Sequence, residues 1–336
     1  MPLFLELLRQ ASEKDPQLAR LALRGLRLYA EAERASPGEP KPDLVRVGPS
    51  ALRDHGGTGP PLVLVPSLIN PPDILDLDPE TALTSALADS GRKILLLDWG
   101  AAGDRSQLGV AAHVAELLVP LLRQLDGTPV LIGYCLGGTM AVAAANHVRC
   151  ERVATLAAPW RFSLYPADAR AAIARIWEQS RDAAQALGAL PMEVLQAAFW
   201  SLDPDRTVRK FARFAEVEPG SAQARRFVAL EDWANEGDPL PFPAARELIE
   251  DLFGRDLPGR GDWTVGGRIV ADRLDCPLLN LTAQHDRIAP AATAPSGECR
   301  SIAAGHVGMV VGSARRDLHA QLRRFLGKLA AGPSLG

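Results

Sequence analysis

The first half of the sequence alternates short apolar runs with longer segments of helical periodicity. The apolar runs at 62–66 and 93–99 predict buried strands, and those at 129–133 and 153–158 predict two more. The segment 110–125 has the spacing of an amphipathic helix. Strands that are apolar throughout and separated by helices are typical of a parallel sheet covered on both faces.

The same alternation returns near the C-terminus, where 277–283 predicts a strand, 300–303 a short strand and 313–331 a helix. The stretch 160–265 between the two halves lacks this alternation of apolar runs and helical segments. That stretch has helical character with a proline-rich break at 239–243, and it predicts a cap inserted into the sheet domain. Its aromatic side chains form either the core of the cap, which we favour, or ligand contacts: Trp160, Phe162, Trp177, Phe199, Trp200, Phe211 and Phe214.

The N-terminal segment 1–34 also has helical periodicity, with Leu18, Leu21, Gly25 and Leu28 on one face. This face either packs on the main domain, the interpretation that we favour, or binds a partner. Prolines then mark a linker at 36–42. The predicted organisation is an N-terminal helical segment with its linker, two halves of a sheet domain and a cap, with bounds at 1–42, 43–159, 160–265 and 266–336.

Composition excludes several classes of protein. The chain has 336 residues, 47% of them hydrophobic and 23% charged, with a formal net charge of −3, so nothing favours nucleic acid as a partner. No apolar run approaches the roughly 18 residues of a membrane span, and the N-terminus lacks the pattern of a signal peptide. The four cysteines form no CxxC pair, which predicts neither a metal site nor a disulfide framework and favours the cytosol.

The motif with the clearest chemistry is Gly133-Tyr-Cys135-Leu-Gly137-Gly138, which lies between a predicted strand and a predicted helix. This is the setting of a nucleophile elbow, with cysteine in place of serine. Gly133, Gly137 and Gly138 allow neighbouring backbone to pack close to a strained turn. The alternative is a buried structural cysteine, because a glycine-flanked cysteine alone is a weak signal, but the strand–turn–helix context favours the elbow.

An elbow would place the thiol at the N-terminus of a helix, where N–H groups and the helix dipole favour a thiolate. The backbone N–H of Leu136 is then a candidate donor to a developing oxyanion. A second donor would come from the loop after the strand at 62–66, at Ser67 or Leu68.

Fold logic places the acid after a late strand and the histidine in a loop near the end of the chain. Asp286 follows the strand at 277–283, and His306 precedes the last helix, so both stand where this order requires them. Histidine can take and return a proton near neutral pH, and a carboxylate would hold its ring in the useful tautomer. The sequence therefore predicts an α/β-hydrolase fold with a Cys135–His306–Asp286 triad. His285, next to the acid, should face elsewhere.

These motifs resemble the polyhydroxyalkanoate (poly-3-hydroxybutyrate) synthase family, in its short two-subunit form. The elbow at 133–138 is similar to the family's cysteine lipase box, and the likeness extends from about residue 60 to 330. It is carried by matching segments in one order: 66–70, 97–100, 263–270, 286–290 and 305–309.

The resemblance implies that Cys135 attacks the thioester of a 3-hydroxyacyl-coenzyme A and carries the acyl group, while His306 deprotonates it. Asp286 would orient His306 or help to activate the 3-hydroxyl of the incoming monomer. The resemblance implies no cofactor and no metal. The implied partners are a second synthase subunit, a polyester granule surface and a second copy of the chain in a homodimer, with the protein cytoplasmic or on granules. The segment between Asp286 and His306 is shorter than the family pattern, and residues 165–215 match it poorly.

Two further functions compete with a polyester-forming acyltransferase. The first is a hydrolase, a thioesterase or esterase that uses the same cysteine on acyl-coenzyme A or hydroxyalkanoate esters. The second is a non-catalytic protein that binds granules or a partner. The sequence favours acyl transfer, because a cysteine elbow is unusual among esterases.

Overall fold

The computed structural model describes residues 8–9, 12–34, 39–78, 81–201 and 204–327, with the side chains of 198–206 left aside. The chain forms two compact units. One, here called the helical unit, comprises Met1–Pro40 and Met192–Gly237. The other, called the sheet unit, comprises Lys41–Pro191 and Asp238–Gly336.

An eight-stranded sheet forms the centre of the sheet unit, in the order β1-β2-β4-β3-β5-β6-β11-β12. The hairpin β1–β2 and the pair β2–β4 are antiparallel, and the other pairs are parallel. The eight strands are β1 (Asp43–Val47), β2 (Ser50–Asp54), β3 (Pro61–Val65), β4 (Lys93–Asp98), β5 (Val130–Tyr134), β6 (Arg152–Leu156), β11 (Leu278–Ala283) and β12 (Glu298–Ile302). Two small antiparallel pairs join β7 (Ala189–Leu190) to β8 (Leu240–Pro241) and β9 (Thr264–Val265) to β10 (Arg268–Ile269).

The strands predicted from apolar runs are present within one or two residues of their expected ends. Every residue of β3, β5 and β11 is buried, which is why these strands appear as continuous apolar runs rather than alternating ones. The hairpin β1–β2 was not predicted. Its first strand is half exposed and polar, so it carries no apolar run, and its pairing depends on a two-residue turn that includes Gly48 at φ 54°.

Helices make up most of the remaining described structure of both units. Those of the sheet unit are α2 (Leu83–Leu87), α3 (Val110–Ala112), α4 (Val119–Arg123), α5 (Leu136–Ala144), α6 (Ala167–Leu187), α10 (Phe242–Arg246), α11 (Leu257–Arg260), α12 (Gly308–Val311) and α13 (Arg315–Leu326). Those of the helical unit are α1 (Pro16–Glu31), α7 (Met192–Ser201), α8 (Pro204–Phe214) and α9 (Ala222–Asn235). Short 3₁₀ turns lie at Pro72–Leu75, Ala88–Ser90, Ala102–Arg105, Phe162–Leu164 and Ala291–Thr293.

The helix predicted at 110–125 is broken by a π-helical segment at His113–Leu118. Pro120 explains this difference, because it has no N–H to donate to the carbonyl four residues earlier and its ring crowds that carbonyl. A wider turn removes the clash. A second π-helix, Glu247–Gly254, continues α10.

The N-terminal helix packs within the helical unit. Ala22 is fully buried against Phe211 and Ala212 of α8, and Gly25 lies so close to the backbone of Phe211 that a Cβ there would overlap it. Leu28 packs on a second cluster with Phe214. The apolar face of α1 is therefore covered by neighbouring helices of its own unit. Parts of the predicted segments, namely residues 1–7, 10–11, 35–38 and 328–331, lie outside the described residues.

The stretch 160–265 is divided between the two units rather than forming one of them. The segment 192–237 groups with the N-terminal helix, while 160–191 and 238–265 group with the sheet. The assignment of a cap at 160–265 stays a prediction. Five of its aromatic residues are buried and pack as core, Trp160, Phe162, Trp177, Phe211 and Phe214, and the side chains of Phe199 and Trp200 lie outside the described part.

A search of the described residues found no helix both long enough and apolar enough to cross a bilayer. In the same part of the chain, no group of three or more His, Cys, Asp or Glu side chains is arranged to hold a metal ion.

The buried, uncharged His113 links the segment after β4 to the start of α3 through hydrogen bonds. The Nδ1 of His113 lies 2.6 Å from the carbonyl oxygen of Gly109, and its Nε2 lies 3.2 Å from Nη1 of the buried Arg105. Arg105 also donates to the carbonyl of Gly100 at 3.1 Å, and the ring of Trp99 packs edge-on against the imidazole. Nδ1 must therefore carry the proton, so that Nε2 can accept from the guanidinium. Burial and the Arg105 charge lower the pKa of His113 to about 4.

This histidine should make the fold sensitive to mild acid. The unfolded chain binds a proton near pH 6.5 that folded His113 takes up only near pH 4, so the stabilisation is complete above about pH 6.5 and is lost as the pH falls towards 4. We expect a smaller loss of unfolding free energy across this interval in His113→Gln than in the parent, measured by urea unfolding at several pH values. Parallel pH curves for the two proteins would contradict this assignment.

Candidate active site

Cys135 lies on a strained turn between β5 and α5. Its backbone has φ 55° and ψ −131°, a conformation that side chains other than glycine rarely adopt. Its N–H donates to the carbonyl of Leu156 at 2.9 Å, and its carbonyl accepts from the N–H of Gly138 at 2.9 Å. The thiol is partly exposed. The turn therefore has the geometry of a nucleophile elbow.

The three glycines of the motif allow this turn to pack against its neighbours. A Cβ on Gly133 would overlap the backbone of Gly138, and one on Gly137 would overlap the carbonyl oxygens of Val65 and Pro66. A Cβ on Gly138 would overlap the side chain of Ala158. The sequence places glycine where the backbone segments touch directly.

The contact at Gly137 brings the loop after β3 next to the elbow. Trp99 fixes the start of this loop, because its indole N–H donates to the carbonyl of Pro66 at 3.1 Å. Ser67 and Leu68 follow and are buried. The N–H of Leu136 is the first of helix α5, whose geometry leaves it without an acceptor inside the helix. The assignment of Leu136, Ser67 and Leu68 as oxyanion donors stays a prediction.

Asp286 lies in the loop after β11, with its carboxylate fully buried and bonded on both oxygens. Oδ1 accepts the backbone N–H groups of Ile288 and Ala289, each at 2.8 Å. Oδ2 lies 2.8 Å from Nδ1 of His306. Three hydrogen bonds thus hold the carboxylate in one orientation.

His306 lies beyond β12 and links the carboxylate to the thiol. Its Nδ1 is bonded to Asp286, and the negative charge of Cys135 acts on the ring and raises its pKa. The ring of Tyr134 packs against the imidazole, with the ring centroids 5.1 Å apart. The three predicted residues Cys135, His306 and Asp286 are therefore brought together at one site, where His306 is bonded to the acid and lies within reach of the Cys135 charge.

The electrostatics of this chain favour a charged imidazole. Burial by itself would lower the pKa of His306, but the negative charge of Cys135 and the hydrogen bonds to Asp286 and Cys135 outweigh it. Together they raise the pKa of His306 to about 10. A proton on this ring is therefore stabilised between a carboxylate and a sulfur, as nucleophilic catalysis by a thiolate requires.

The other cysteines and the neighbouring histidine have different surroundings. His285 is exposed to solvent. Cys150 is buried, and burial together with the charge of Cys276 raises the pKa of the Cys150 thiol to about 12. Cys276 is half-buried, with its pKa also raised by burial, and Cys299 is exposed. Cys135 alone among the four stands on an elbow with a histidine at its thiol.

Sequence patterns did not identify two tyrosines of this site. Tyr134 is adjacent to the nucleophile, so its packing on His306 could have been expected from the motif. Tyr165 lies in the turn after β6, and its hydroxyl donates to the carbonyl of Ile288 at 2.8 Å. No motif surrounds it, and only the folded arrangement shows its relation to the acid loop.

Comparisons with known proteins fit this geometry. No protein-family model matches the chain. Curated relatives do match it under the name poly(3-hydroxyalkanoate) polymerase subunit PhaC. The protein of Haloferax mediterranei is 26% identical over 276 residues, which cover 75% of this chain and 55% of that protein. The protein of Haloarcula marismortui is 28% identical over 286 residues, which cover 78% and 58%.

The chain thus spans somewhat more than half the length of these two relatives. The PhaC subunit of Synechocystis sp. is matched over more of its length, at 25% identity across 79% of this chain and 77% of that protein.

A solved structure shares the fold. The monoacylglycerol lipase of Paleococcus ferrophilus superposes with a TM-score of 0.50 at 16% sequence identity, covering 82% of this chain and 98% of that one. This likeness and the eight-stranded, mostly parallel sheet confirm the predicted α/β-hydrolase fold. The chain is therefore an α/β-hydrolase-fold relative of the polyhydroxyalkanoate synthases, and the resemblance predicted from its motifs is confirmed.

Proposed function

We propose that Cys135, His306 and Asp286 form a catalytic triad that transfers 3-hydroxyacyl groups from coenzyme A to a growing polyester. The observation that carries the proposal is the bond from His306 to the buried Asp286, together with the strained elbow that holds Cys135 where its charge acts on the same imidazole. The PhaC names of the relatives support the substrate and product classes.

In the first half-reaction, the proton of the Cys135 thiol already resides on His306, and the thiolate attacks the thioester carbonyl of the substrate. The N–H of Leu136, with that of Ser67 or Leu68, donates to the oxyanion of the tetrahedral intermediate. When the C–S bond to coenzyme A breaks, the proton on His306 passes to the departing thiolate. The products are free coenzyme A and an acyl group on Cys135.

In the second half-reaction, the hydroxyl of another 3-hydroxyacyl group attacks the acyl-cysteine. His306 accepts the hydroxyl proton and returns it to the sulfur of Cys135 as the new ester forms. Asp286, held by the N–H groups of Ile288 and Ala289, keeps the imidazole oriented and stabilises its cation. A thiol suits this route because exchange between thioesters is close to thermoneutral and the later transfer to oxygen is downhill.

The predicted partners belong to the same proposal. A second synthase subunit would complete a two-subunit enzyme, and the polymer would form a granule surface on which the protein works. The subunit name of the relatives supports the first of these. Association of two copies in a homodimer remains a proposal from the family resemblance alone.

The proposal predicts an acyl group on Cys135. Purified protein mixed with 3-hydroxybutyryl-coenzyme A should release coenzyme A and gain the acyl mass on the peptide that contains residue 135. Cys135→Ala should lose this label and at least about 10³-fold in rate, because the nucleophile is gone. Cys299→Ala, which removes an exposed thiol, is the matched control and should remain labelled on Cys135.

The product distinguishes transfer from hydrolysis. Insoluble polyester supports the acyltransferase. Free 3-hydroxybutyrate without polymer would contradict the acyltransferase and support the hydrolase alternative, in which water attacks the acyl-cysteine in place of the second hydroxyl. Acylation at a cysteine other than Cys135 would overturn the assignment of the nucleophile.

The charged imidazole predicts a loss of stability in alkaline solution. The folded pKa of His306, about 10, lies above the ordinary value near 6.5, so the folded protein holds a proton that the unfolded chain releases. This stabilisation is complete below about pH 6.5 and is lost as the pH rises towards 10. Chemical unfolding between pH 6.5 and 10 should show a smaller decline of unfolding free energy in His306→Gln than in the parent. Identical declines would mean that the ring is neutral in the folded protein.

A further inference from the structure

The hydroxyl of Tyr165 and the carboxylate of Asp286 are bonded to the same peptide group. The carbonyl oxygen of Ile288 accepts the Tyr165 hydroxyl at 2.8 Å. The N–H of Ala289, on the other side of that peptide bond, donates to Oδ1 of Asp286 at 2.8 Å. Because a peptide group is planar and rigid, the phenol on its oxygen fixes the direction of the N–H that points at the carboxylate.

The bond also polarises the peptide group. A donor on the carbonyl oxygen makes the N–H at the other end a better donor, by about 10–30% in chains of hydrogen bonds. A continuous chain of hydrogen bonds therefore runs from the phenol through the peptide to Asp286 and then to Nδ1 of His306.

The ring of Tyr165 is held on two sides. Phe162 stacks on it with ring centroids 6.0 Å apart, and Phe253 of the second π-helix packs at 4.8 Å. Arg170 donates to the carbonyls of Phe253 and Gly254, at 3.3 and 3.2 Å, and so ties the end of this π-helix to α6. These contacts leave Tyr165 only 6% exposed and give its hydroxyl one position.

The phenol keeps its proton throughout the working pH range. Burial, followed by the negative charges of Cys135 and Asp286, raises the pKa of Tyr165 well above its ordinary value. Tyr165 is therefore a permanent donor to the acid loop.

We propose that Tyr165 is a positioning residue of this site, which holds the 288–289 peptide group so that Asp286 stays aligned with His306. It touches neither substrate nor reacting atoms. The proposal rests on the proposed triad and deepens it, because it names the group that orients the acid. Phe253 contributes by keeping the Tyr165 ring in place.

The test compares Tyr165→Phe with Ser50→Ala. The first removes the hydroxyl and keeps the ring. The second removes a different buried hydroxyl of the sheet unit, which donates to the backbone carbonyl of Trp99 at 2.7 Å. Both variants therefore remove a hydrogen bond from a buried hydroxyl to a backbone carbonyl. Two readouts need no substrate: the NMR titration midpoint of the His306 ring, and the hydrogen exchange of the Ala289 amide.

In Tyr165→Phe, we expect the freed peptide group to turn away from Asp286. Loss of the aligned carboxylate lowers the titration midpoint of His306 by about one pH unit, corresponding to about a tenfold change in proton affinity. Weaker polarisation of the peptide would by itself raise the midpoint, because the Ala289 N–H becomes a poorer donor to Asp286. This effect is the smaller one, since it weakens that bond only by a fraction, whereas misalignment breaks it. Exchange of the Ala289 amide should accelerate at least about tenfold. Ser50→Ala should change neither readout.

An unchanged midpoint in folded Tyr165→Phe, or an equal shift in both variants, overturns the proposal. If Tyr165→Phe does not fold, Phe253→Leu decides, because it loosens the Tyr165 ring from a half-buried position. A lowered midpoint in that variant supports the proposal, and an unchanged one overturns it. If no acylation is found but the His306 midpoint and the Ala289 exchange change as expected in Tyr165→Phe, the acyltransferase proposal is rejected and the role of Tyr165 stands.

Discussion

The site depends on one strained residue, held at positive φ where the central strand β5 meets helix α5. Such a backbone is costly for any side chain other than glycine, and it persists only when its surroundings leave no alternative. Here the surroundings are backbone atoms. Gly133 and Gly138 touch each other, Gly137 touches the end of β3, and the Cys135 peptide is bonded to β6. The close packing that imposes the strain also brings the β3 loop to the thiol. The same backbone contacts therefore hold the turn and place the candidate oxyanion donors beside it.

Next to the partly exposed Cys135, the structure stabilises charge on two buried side chains. The carboxylate of Asp286 is buried but accepts three hydrogen bonds, and the imidazole of His306 lies between it and the sulfur. Buried charges are tolerated only with partners of this kind. His113 shows the opposite solution. It is also buried, and burial, reinforced by the charge of its Arg105 partner, lowers its pKa and keeps it neutral. The neighbours rather than the residue type decide which histidine carries charge.

The sequence was sufficient for features that depend on local pattern. Strands buried on both faces appear as apolar runs, and the glycines around Cys135 indicate a tight turn before any fold is known. Asp286 and His306 followed from the order of elements in the chain. Features that depend on distant contacts were missed. The half-polar hairpin β1–β2 has no apolar run, Pro120 was not recognised as the cause of a π-helix, and the segment 192–237 groups with the N-terminal helix through packing that no motif records. Tyr165 belongs to the same class, since its partner is a backbone carbonyl more than a hundred residues away.

The position of β12 has a consequence for how activity can be lost. Cys135 follows the centre of the sheet, whereas His306 follows β12, an edge strand whose residues are largely exposed and which, in the described part of the chain, pairs only with β11. Edge elements of this kind open locally at a lower free energy than the core. Local unfolding of β12 would move the imidazole away from the sulfur while the elbow stays folded. The proposed reactivity is thus tied to an exposed edge of the sheet rather than to its buried interior.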